Sequence, residues 1–308
     1  MTKLKTVYKL IKRPNRIIRV LGDKKLFNWL PDKPYLRLLY KAEIGKALNI
    51  DNPQTFNEKL QWIKLYDRKP EYCTYVDKYE VREYIANTIG EEYLIPIIGV
   101  YESVDEIPWN DLPEQFVLKC THGSGSNIIC PDKSKLDIED AKKKLNKWMK
   151  KNWYWFGREW PYKNLKPRVI CEEFISNTTK VPNDLKVMCF NGEAKIIELH
   201  ENRFSESHTQ NYYDIDWNVT EISQESSFAV KSRESEPTPT CLQEMIKLSE
   251  IIAKNKYHVR VDWYEVNGRL YFGEITFFEA SGLLPFDRDE YDLLLGSWIR
   301  LPIDKADK

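Results

Sequence analysis

Side chains that could hold a metal ion alternate along two neighbouring segments near the C-terminus. In HVRVDWYEV, Arg260 and Asp262 are two positions apart, and in RLYFGEITFF the same spacing separates Glu274 from Thr276. Residues two apart in a strand point to the same face of a sheet. Carboxylates that converge at a strand end suit Mg²⁺, which takes one or two protein carboxylates together with phosphate oxygens. The pattern therefore indicates a metal site, and two unrelated acids on a solvated face are the alternative.

The turn between these two segments decides whether the carboxylates meet. If residues 267–268 form a two-residue turn, Asp262 pairs with Gly273, and Glu274 points to the opposite face. If residues 266–268 form a three-residue loop closed by a glycine in the left-handed region, Glu274 returns to the Asp262 face. A shift of one residue in register moves a side chain to the other face. A shared metal site therefore predicts the three-residue loop.

A second candidate site lies in FVLKCTHGSGSN, where a short apolar run ends in Lys119 and a Gly/Ser-rich turn follows. A cation at a strand exit followed by exposed backbone amides is typical of a polyphosphate site. The residues predicted to hold the phosphates are Lys119, His122, Gly123, Ser124, Gly125 and Ser126. A glycine loop alone is weak evidence, so the rest of the chain must supply the other parts of a nucleotide site.

Two further segments could complete such a site. RVICEEFISN places two acids and two apolar residues at the end of an apolar strand, a plausible hinge whose backbone would read an adenine edge. Its residues are Glu172, Glu173, Phe174 and Ile175. Lys78 in VDKYEVR is a candidate for a phosphate ligand, although by its pattern alone it is an ordinary lysine on a helix surface.

Composition excludes several classes of function. The 308 residues contain 47 Lys and Arg against 47 Asp and Glu, whereas a dedicated nucleic-acid binder usually has a basic excess. The four histidines and six cysteines show no spacing typical of a zinc site. No apolar stretch approaches the ~18–20 residues that span a bilayer, and the N-terminus lacks the apolar core of a signal peptide. We therefore expect a cytoplasmic protein with reduced cysteines.

The order of helical and strand patterns predicts an α+β fold. Residues 35–90 favour helices, one of which begins with a capping box at Thr55 and Glu58. From about residue 94, short β-rich runs alternate with turns, and two helices are expected near 137–151 and 241–257. This order divides the chain into a helical N-terminal region, residues 1–75, and a mixed domain, residues 76–308.

The first 25 residues contain nine basic side chains and one acid, Asp23. Apolar residues recur among them near helical spacing until Pro14 interrupts the pattern. Such a stretch can lie on an anionic membrane surface, or it can pack as a helix on its own domain with solvated lysines. The sequence leaves both alternatives open.

The order of these motifs resembles the ATP-grasp superfamily. That resemblance implies phosphate contacts for Lys78 and Lys119, an adenine hinge at residues 172–175 and a further ATP contact at Asp184. It also implies a catalytic role for Arg260 and for Lys119. Asp262 and Glu274 would hold Mg²⁺, and Thr276 stands where the superfamily usually has an asparagine, which puts a metal contact there in doubt.

The segments NPQTFNEKLQWIKLYDR, FVLKCTHGSG, DLKVMCFNGE and GEITFFEASG look more closely like TupA-like ATP-grasp proteins, over roughly residues 35–300. This likeness implies two α+β subdomains that enclose ATP, with a lid at about residues 114–174. It also implies an ADP-forming carboxylate–amine ligase in bacterial surface polysaccharide synthesis. Its substrates would be a uronic-acid or amino-acid carboxylate on a glycan and an amine donor.

Two other functions remain as alternatives. A glycosyltransferase of the same pathway would need a metal-binding D-x-D motif, and the chain contains one at Asp214-Ile215-Asp216, in a segment that looks like a turn. A non-catalytic nucleotide-binding subunit would bind ATP without turnover. The dependence on ATP or on a sugar nucleotide distinguishes the three functions.

Overall fold

The computed structural model describes residues 18, 21–22, 24–176, 181–203, 206–225 and 236–303. Its helices are α1 Asp32–Ile44, α2 Phe56–Tyr66, α3 Tyr72–Val76, α4 Val81–Thr88, α5 Ile138–Met149, α6 Tyr154–Gly157, α7 Leu242–Ala253 and α8 Asp289–Trp298. Its strands are β1 Ile97–Tyr101, β2 Phe116–Cys120, β3 Asn127–Cys130, β4 Val169–Glu173, β5 Asp184–Phe190, β6 Glu193–Glu201, β7 Thr209–Tyr213, β8 His258–Val266 and β9 Arg269–Thr276.

Helix α2 begins with the predicted capping box. The Thr55 hydroxyl accepts a hydrogen bond from the Glu58 amide, and the Glu58 carboxylate accepts one from the Thr55 amide. The reciprocal bonds satisfy two amides at the helix N-terminus that lack partners within the helix. The buried side of α2 carries Phe56, Leu60 and Ile63, which join the main hydrophobic core of the chain.

The strands form two sheets. The four-stranded sheet has the order β1-β4-β2-β3, and the five-stranded sheet has the order β7-β6-β5-β8-β9. All of the strand pairs are antiparallel. Helices and strands are therefore segregated in the way that the predicted α+β class requires.

The five-stranded sheet has one apolar face and one polar face. Val187, Val261 and Ile275 belong to the apolar face and are buried in the main core. Helix α7 packs against this sheet, and the Trp263 indole on β8 donates a hydrogen bond to the Ser249 hydroxyl on α7. Since alternate residues of a strand point to opposite faces, the residues between these apolar positions form the polar face. That face carries the candidate site.

Most of the predicted elements are present. The helices predicted near 137–151 and 241–257 are α5 and α7, and strands form after about residue 94, where the β-rich runs were predicted. The sequence interpretation did not include β7 as a strand or α8 as a helix. The six cysteines, all within the described residues, are free thiols, and five of them are buried.

The domain boundary at residues 75–76 and the lid at about 114–174 stay predictions, but the four-stranded sheet begins before the predicted lid does. The predicted lid, about 114–174, contains three strands of the four-stranded sheet, whereas β1 precedes it at Ile97–Tyr101 and pairs with β4. The helical pattern expected in residues 1–17 lies outside the described residues. None of the described helices is long and apolar enough to cross a bilayer.

Candidate functional site

The predicted metal ligands of β8 and β9 share one face of the hairpin with Arg260, the predicted catalytic residue. Arg260 pairs with Thr276 across the two strands, and Asp262 pairs with Glu274. Directly opposed residues of an antiparallel pair point to the same face. The structure therefore brings these four side chains together.

The turn that achieves this differs from the prediction. Val266 pairs with Arg269, so the loop has two residues and the predicted three-residue loop is wrong. Asn267 and Gly268 both have positive φ, 55° and 69°, as the favoured two-residue hairpin turns require. The register shift comes instead from a β-bulge further along the hairpin.

Gly273 is the extra residue of that bulge. Trp263 pairs with Phe272, whereas Asp262 pairs with Glu274, so β9 has one residue more than β8 between these pairs. A β-carbon on Gly273 would lie 3.0 Å from the Asp262 carbonyl oxygen, a closer approach than side chains normally make. The glycine therefore lets β9 pass close to β8, and the bulge turns Glu274 to the Asp262 face.

Arg260 lies at the centre of this charged group. Its guanidinium donates to both oxygens of Asp262, at 2.7 and 2.8 Å, and to the Thr276 hydroxyl at 3.3 Å. One of its nitrogens lies 3.7 Å from a Glu274 oxygen. Burial lowers the pKa of Arg260, but the charges of Asp262 and two nearby glutamates outweigh burial and raise the pKa well above its usual value. The guanidinium is therefore a permanent cation between two carboxylates.

Lys78 joins this face to the glycine-rich loop. Its Nζ donates to a Glu274 oxygen and to the Gly123 carbonyl, both at 2.8 Å, and its amide donates to the Thr121 carbonyl. Burial raises the pKa of Glu274, but the charges of Lys78 and Arg260 outweigh burial and hold the pKa well below its ordinary value. Lys78 lies between α3 and α4 rather than inside a regular helix, so the reading of an ordinary lysine on a helix surface does not hold.

The glycine-rich loop is the turn between β2 and β3. A β-carbon on Gly123 would lie 1.8 Å from the Trp153 indole nitrogen, so no larger residue fits there without a shift. Gly125 has φ +68° in open space, and both Gly125 and Ser124 are exposed. The exposed tip of the loop is thus formed by residues predicted to contact phosphate.

The other two residues predicted in this loop point inward. The His122 side chain is buried beside the backbone of Trp148 and Lys151, and burial lowers its pKa. Ser126 is buried, and its carbonyl accepts a hydrogen bond from the Cys120 amide. Both side chains are buried away from the exposed tip of the loop, and their roles toward ATP remain predictions.

Lys119 and the predicted hinge are in direct contact. The Lys119 ammonium lies 2.6 Å from a Glu172 oxygen, and an Arg82 nitrogen lies 3.5 Å from the other oxygen. The Glu172 side chain is buried, whereas Glu173 is exposed and its amide donates to the Pro96 carbonyl. Glu172 thus fixes Lys119 at the strand end, and the Glu173 amide is already engaged by the protein.

The rest of the hinge follows β4 directly. Phe174 and Ile175 are both half-buried, and the Phe174 carbonyl accepts a hydrogen bond from the Ser176 amide. Half-buried apolar residues beside a charged strand end could border a flat base. Their contact with adenine stays a prediction.

The sequence matches the TupA-like ATPgrasp family over residues 58–300. The chain belongs to the TupA-like ATP-grasp family. The matched range covers most of helix α2, both sheets and α8, so family membership extends over the whole candidate site. No curated protein matches the sequence.

Solved structures of ATP-grasp ligases show a distant likeness. D-alanine–D-alanine ligase from Bacillus anthracis is 15% identical, with a TM-score of 0.40, over 66% of this chain and 55% of that one. The Helicobacter pylori enzyme is 12% identical, with a TM-score of 0.42, over 82% and 68%. Phosphoribosylamine–glycine ligase from Thermotoga maritima is 12% identical, with a TM-score of 0.37, over 67% and 48%. The chain thus matches about half the length of the B. anthracis ligase.

Asp184, the remaining predicted ATP contact, is the first residue of β5. Its side chain is buried and accepts a hydrogen bond from the Arg203 guanidinium at 3.0 Å. Lys186, two residues on and on the same face, lies 3.4 Å from an Asp262 oxygen. Asp184 therefore lies on the polar face that carries Asp262, and its strand β5 is the neighbour of β8.

Several polar residues of this face were not identified from the sequence. Lys186 contacts Asp262, and Glu198 on β6 lies 3.9 Å from the Arg260 guanidinium. The His200 Nε2 lies 2.8 Å from a Glu198 oxygen, and its Nδ1 lies 2.8 Å from the His208 Nε2. The signal was present, because D-L-K in β5 and E-L-H in β6 alternate polar and apolar residues.

The buried Glu198 carboxylate is ionised in this setting. Burial raises its pKa, but the charges of His200, Lys186 and Arg260 outweigh burial and hold the pKa well below its ordinary value. Because a carboxylate can only accept hydrogen bonds, the His200 Nε2 must carry the proton between them. Glu198 thus fixes the orientation of His200 and adds a third negative charge around Arg260.

The side chains around Arg260 include oxygen donors of the type that binds Mg²⁺. Asp262 and Glu274 supply carboxylate oxygens on one face, and Thr276 adds a hydroxyl that donates to Glu274. In the described part of the chain, no three His, Cys, Asp or Glu side chains are grouped as a metal site. Mg²⁺ tolerates two protein carboxylates when phosphate oxygens and water complete its shell. Glu274, 26% exposed, is the more accessible of the two carboxylates.

Proposed function

We propose that the chain is an ADP-forming ligase that joins a carboxylate to an amine with ATP as the energy source. The observation that supports this most is the group of Lys78, Arg260, Asp262 and Glu274, which connects the exposed glycine-rich loop to two carboxylates. Cations for phosphate oxygens and carboxylates for Mg²⁺ are what phosphoryl transfer requires. Membership of the ATP-grasp family agrees with this chemistry.

The reaction has two steps. A carboxylate oxygen of the first substrate attacks the γ-phosphorus of ATP, the bond to the β,γ-bridging oxygen breaks, and ADP leaves with that electron pair. The neutral amine nitrogen then attacks the acyl carbon, the bond from this carbon to the phosphate oxygen breaks, and phosphate leaves. The nitrogen loses its proton to solvent, and an amide results. The acylphosphate is needed because a free carboxylate is a poor electrophile.

The residues of the site act mainly through charge and position. Lys78 and Lys119 would neutralise phosphate oxygens, while the tip of the loop, Ser124-Gly125, would cover them. Arg260 would stabilise the oxyanion that forms when the amine attacks, since its charge is fixed before the reaction. Asp262 and Glu274 would hold Mg²⁺, which supplies further charge neutralisation when bound.

The substrates and setting follow from the family likeness. We propose a uronic-acid or amino-acid carboxylate on a bacterial surface glycan as the acceptor, an amine as its partner, and the cytoplasm as the site of synthesis. Candidate carboxylates and amines are therefore screened in pairs.

The test follows the fate of one oxygen atom. The chain is incubated with Mg-ATP, an amine and a carboxylate labelled with ¹⁸O, and the released ADP and phosphate are measured. An acylphosphate route transfers one labelled oxygen from each carboxylate to the phosphate. Glu274→Gln should abolish release, whereas Lys143→Met, a change at an exposed lysine of α5, should leave it unchanged. ADP release with unlabelled phosphate would contradict the route.

The same assay, repeated with a sugar nucleotide in place of ATP, separates the alternatives. A glycosyltransferase would consume a sugar nucleotide, and a binding subunit would bind ATP without releasing ADP. The D-x-D segment gives the first alternative no support, because Asp214 accepts hydrogen bonds from the Asp216 and Asn218 amides. That carboxylate closes its own turn.

A further inference from the structure

A turn at residues 24–30 carries large apolar side chains on its outer side. Trp29 is 77% exposed and Leu26 is 56% exposed, and Lys24 and Lys25 directly before them are exposed as well. A tryptophan that gives up burial on this scale is unusual, since most aromatic side chains lie inside or at an interface. The turn therefore presents two apolar side chains beside two cations.

The turn is held firmly to the protein. Arg158, only 1% exposed, donates through one nitrogen to the Phe27 carbonyl at 2.8 Å and to the Leu30 carbonyl at 3.3 Å. Phe27 and Leu30 pack on the cluster around Tyr35. Because these neighbours are fixed, the outward direction of the other apolar side chains is a property of the turn.

The outer side chains are also ordered relative to each other. The Trp29 indole nitrogen donates a hydrogen bond to the Leu26 carbonyl at 3.1 Å, so the polar atom of the indole is satisfied within the turn. What remains exposed on Trp29 is its carbon surface. Such a surface suits an apolar or interfacial environment better than water.

The charge of the adjoining sequence selects the partner. Residues 1–25 contain nine basic side chains and one acid, and they lead directly into the turn. Helix α1, which follows, has Leu38 and Lys41 exposed one turn apart. Two copies of this chain that met through the turn would bring like charges together, whereas an anionic lipid surface attracts them.

We propose that the turn 24–30 docks the protein on an anionic membrane surface, with Leu26 and Trp29 inserted among the lipid headgroups and Lys24 and Lys25 beside the anionic lipids. Apolar and aromatic side chains beside basic ones are the combination that binds such an interface. This inference does not depend on the proposed ligase reaction. It names Leu26 and Trp29 as the apolar contacts with the lipid, which the basic pattern of residues 1–25 by itself did not identify.

The test uses the full chain and sedimentation with vesicles. Vesicles of phosphatidylcholine alone are compared with an equal mixture of phosphatidylcholine and phosphatidylglycerol. We expect binding to the mixed vesicles, and a decrease of at least about tenfold in the partition coefficient for Leu26→Ser/Trp29→Ser. The matched control is Leu293→Ser/Leu294→Ser, which changes two exposed leucines of α8, and it should bind as the unchanged chain does.

Charge is tested by a second variant. Lys24→Ser/Lys25→Ser should weaken binding to the mixed vesicles and leave the small binding to neutral vesicles as it was. Urea unfolding and circular dichroism confirm that each variant is folded, as expected for exposed positions. ATP turnover is not needed for any of these measurements.

Three results would overturn the inference. The Leu26→Ser/Trp29→Ser variant could bind mixed vesicles as well as the unchanged chain does, or the unchanged chain could bind neither kind of vesicle. Light scattering could also show a dimer that the same variant dissociates, which would assign the turn to a second copy of the chain. Any of these results excludes the lipid surface as the partner of Leu26 and Trp29.

Discussion

The ion pair between Lys78 and Glu274 should stabilise the protein measurably before any ATP is bound. The Lys78 Nζ lies 2.8 Å from the Glu274 carboxylate, and the two side chains are 12% and 26% exposed. Coulomb attraction at that distance is about 6 kcal/mol at an effective dielectric constant of about 20. Both groups lose hydration, which offsets much of this energy. We therefore expect a coupling free energy of about 1–3 kcal/mol.

A double-mutant cycle measures that coupling. Lys78→Met, Glu274→Gln, the double variant and the unchanged chain are unfolded in urea without nucleotide near pH 7. The matched control is the pair Lys144 and Asp140 on α5, which are 55% and 51% exposed at 2.6 Å. An exposed pair at that helical spacing contributes only about 0.3–0.5 kcal/mol. A Lys78–Glu274 coupling no larger than the control would refute the reasoning.

The pH dependence of the coupling has a definite sign. The folded pKa of Glu274 is lowered, because Lys78 and Arg260 outweigh the effect of burial. A carboxyl with a lowered folded pKa stabilises the fold fully above its unfolded pKa of about 4.3 and loses this contribution at lower pH. The coupling measured near pH 7 should therefore persist near pH 5 and decrease progressively below about pH 4.

Four further predictions concern the site and the core. Lys119→Ala should abolish ADP release while thermal unfolding remains cooperative, because the charge proposed to neutralise the phosphates is lost; full activity would contradict this role. Gly268→Val should cost about 1–3 kcal/mol of stability, since φ +69° strains a β-branched residue although its surroundings are open. Gly273→Val should lower activity strongly, because its side chain would press on the Asp262 carbonyl and disturb the bulge. Circular dichroism and ADP release check both glycine changes. An active Gly273→Val protein would show that the bulge is dispensable. Burial lowers the pKa of Lys256 in the folded protein to about 8, whereas its pKa in the unfolded chain is about 10.4. Between these two pH values the unfolded chain binds more protons than the folded protein, so the free energy of unfolding rises with pH. The urea midpoint should therefore increase from about pH 8 to about pH 9.5, and Lys256→Met should reduce this increase.

Local features of the structure were readable from the sequence. The capping box at Thr55 and Glu58 forms as predicted, because it depends on groups only three residues apart. The strands were predicted from β-rich runs in which apolar and polar residues alternate, and the turn at Ser124-Gly125 follows a strand as expected. Each of these depends on neighbours in the chain.

Other site residues could not be assigned without the fold. Lys78 looked ordinary because its partners, Gly123 and Glu274, are 45 and 196 residues away along the chain. The pairing of Glu198 with Arg260 crosses between strands for the same reason. A sequence gives residue types and local periodicity, whereas such contacts depend on which strands become neighbours.

The sequence by itself determined the α+β class, the family likeness and the residues available for an ATP site. Only the tertiary structure decided how Asp262 and Glu274 reach one face. Local rules gave two turns, each with its own register, and the hairpin uses the two-residue turn together with a bulge at Gly273. A bulge forms where neighbouring strands and the core beneath them fix both ends of a hairpin, so its position depends on packing from the whole sheet. The register, and with it the convergence of the two carboxylates, is therefore a property of the folded sheet.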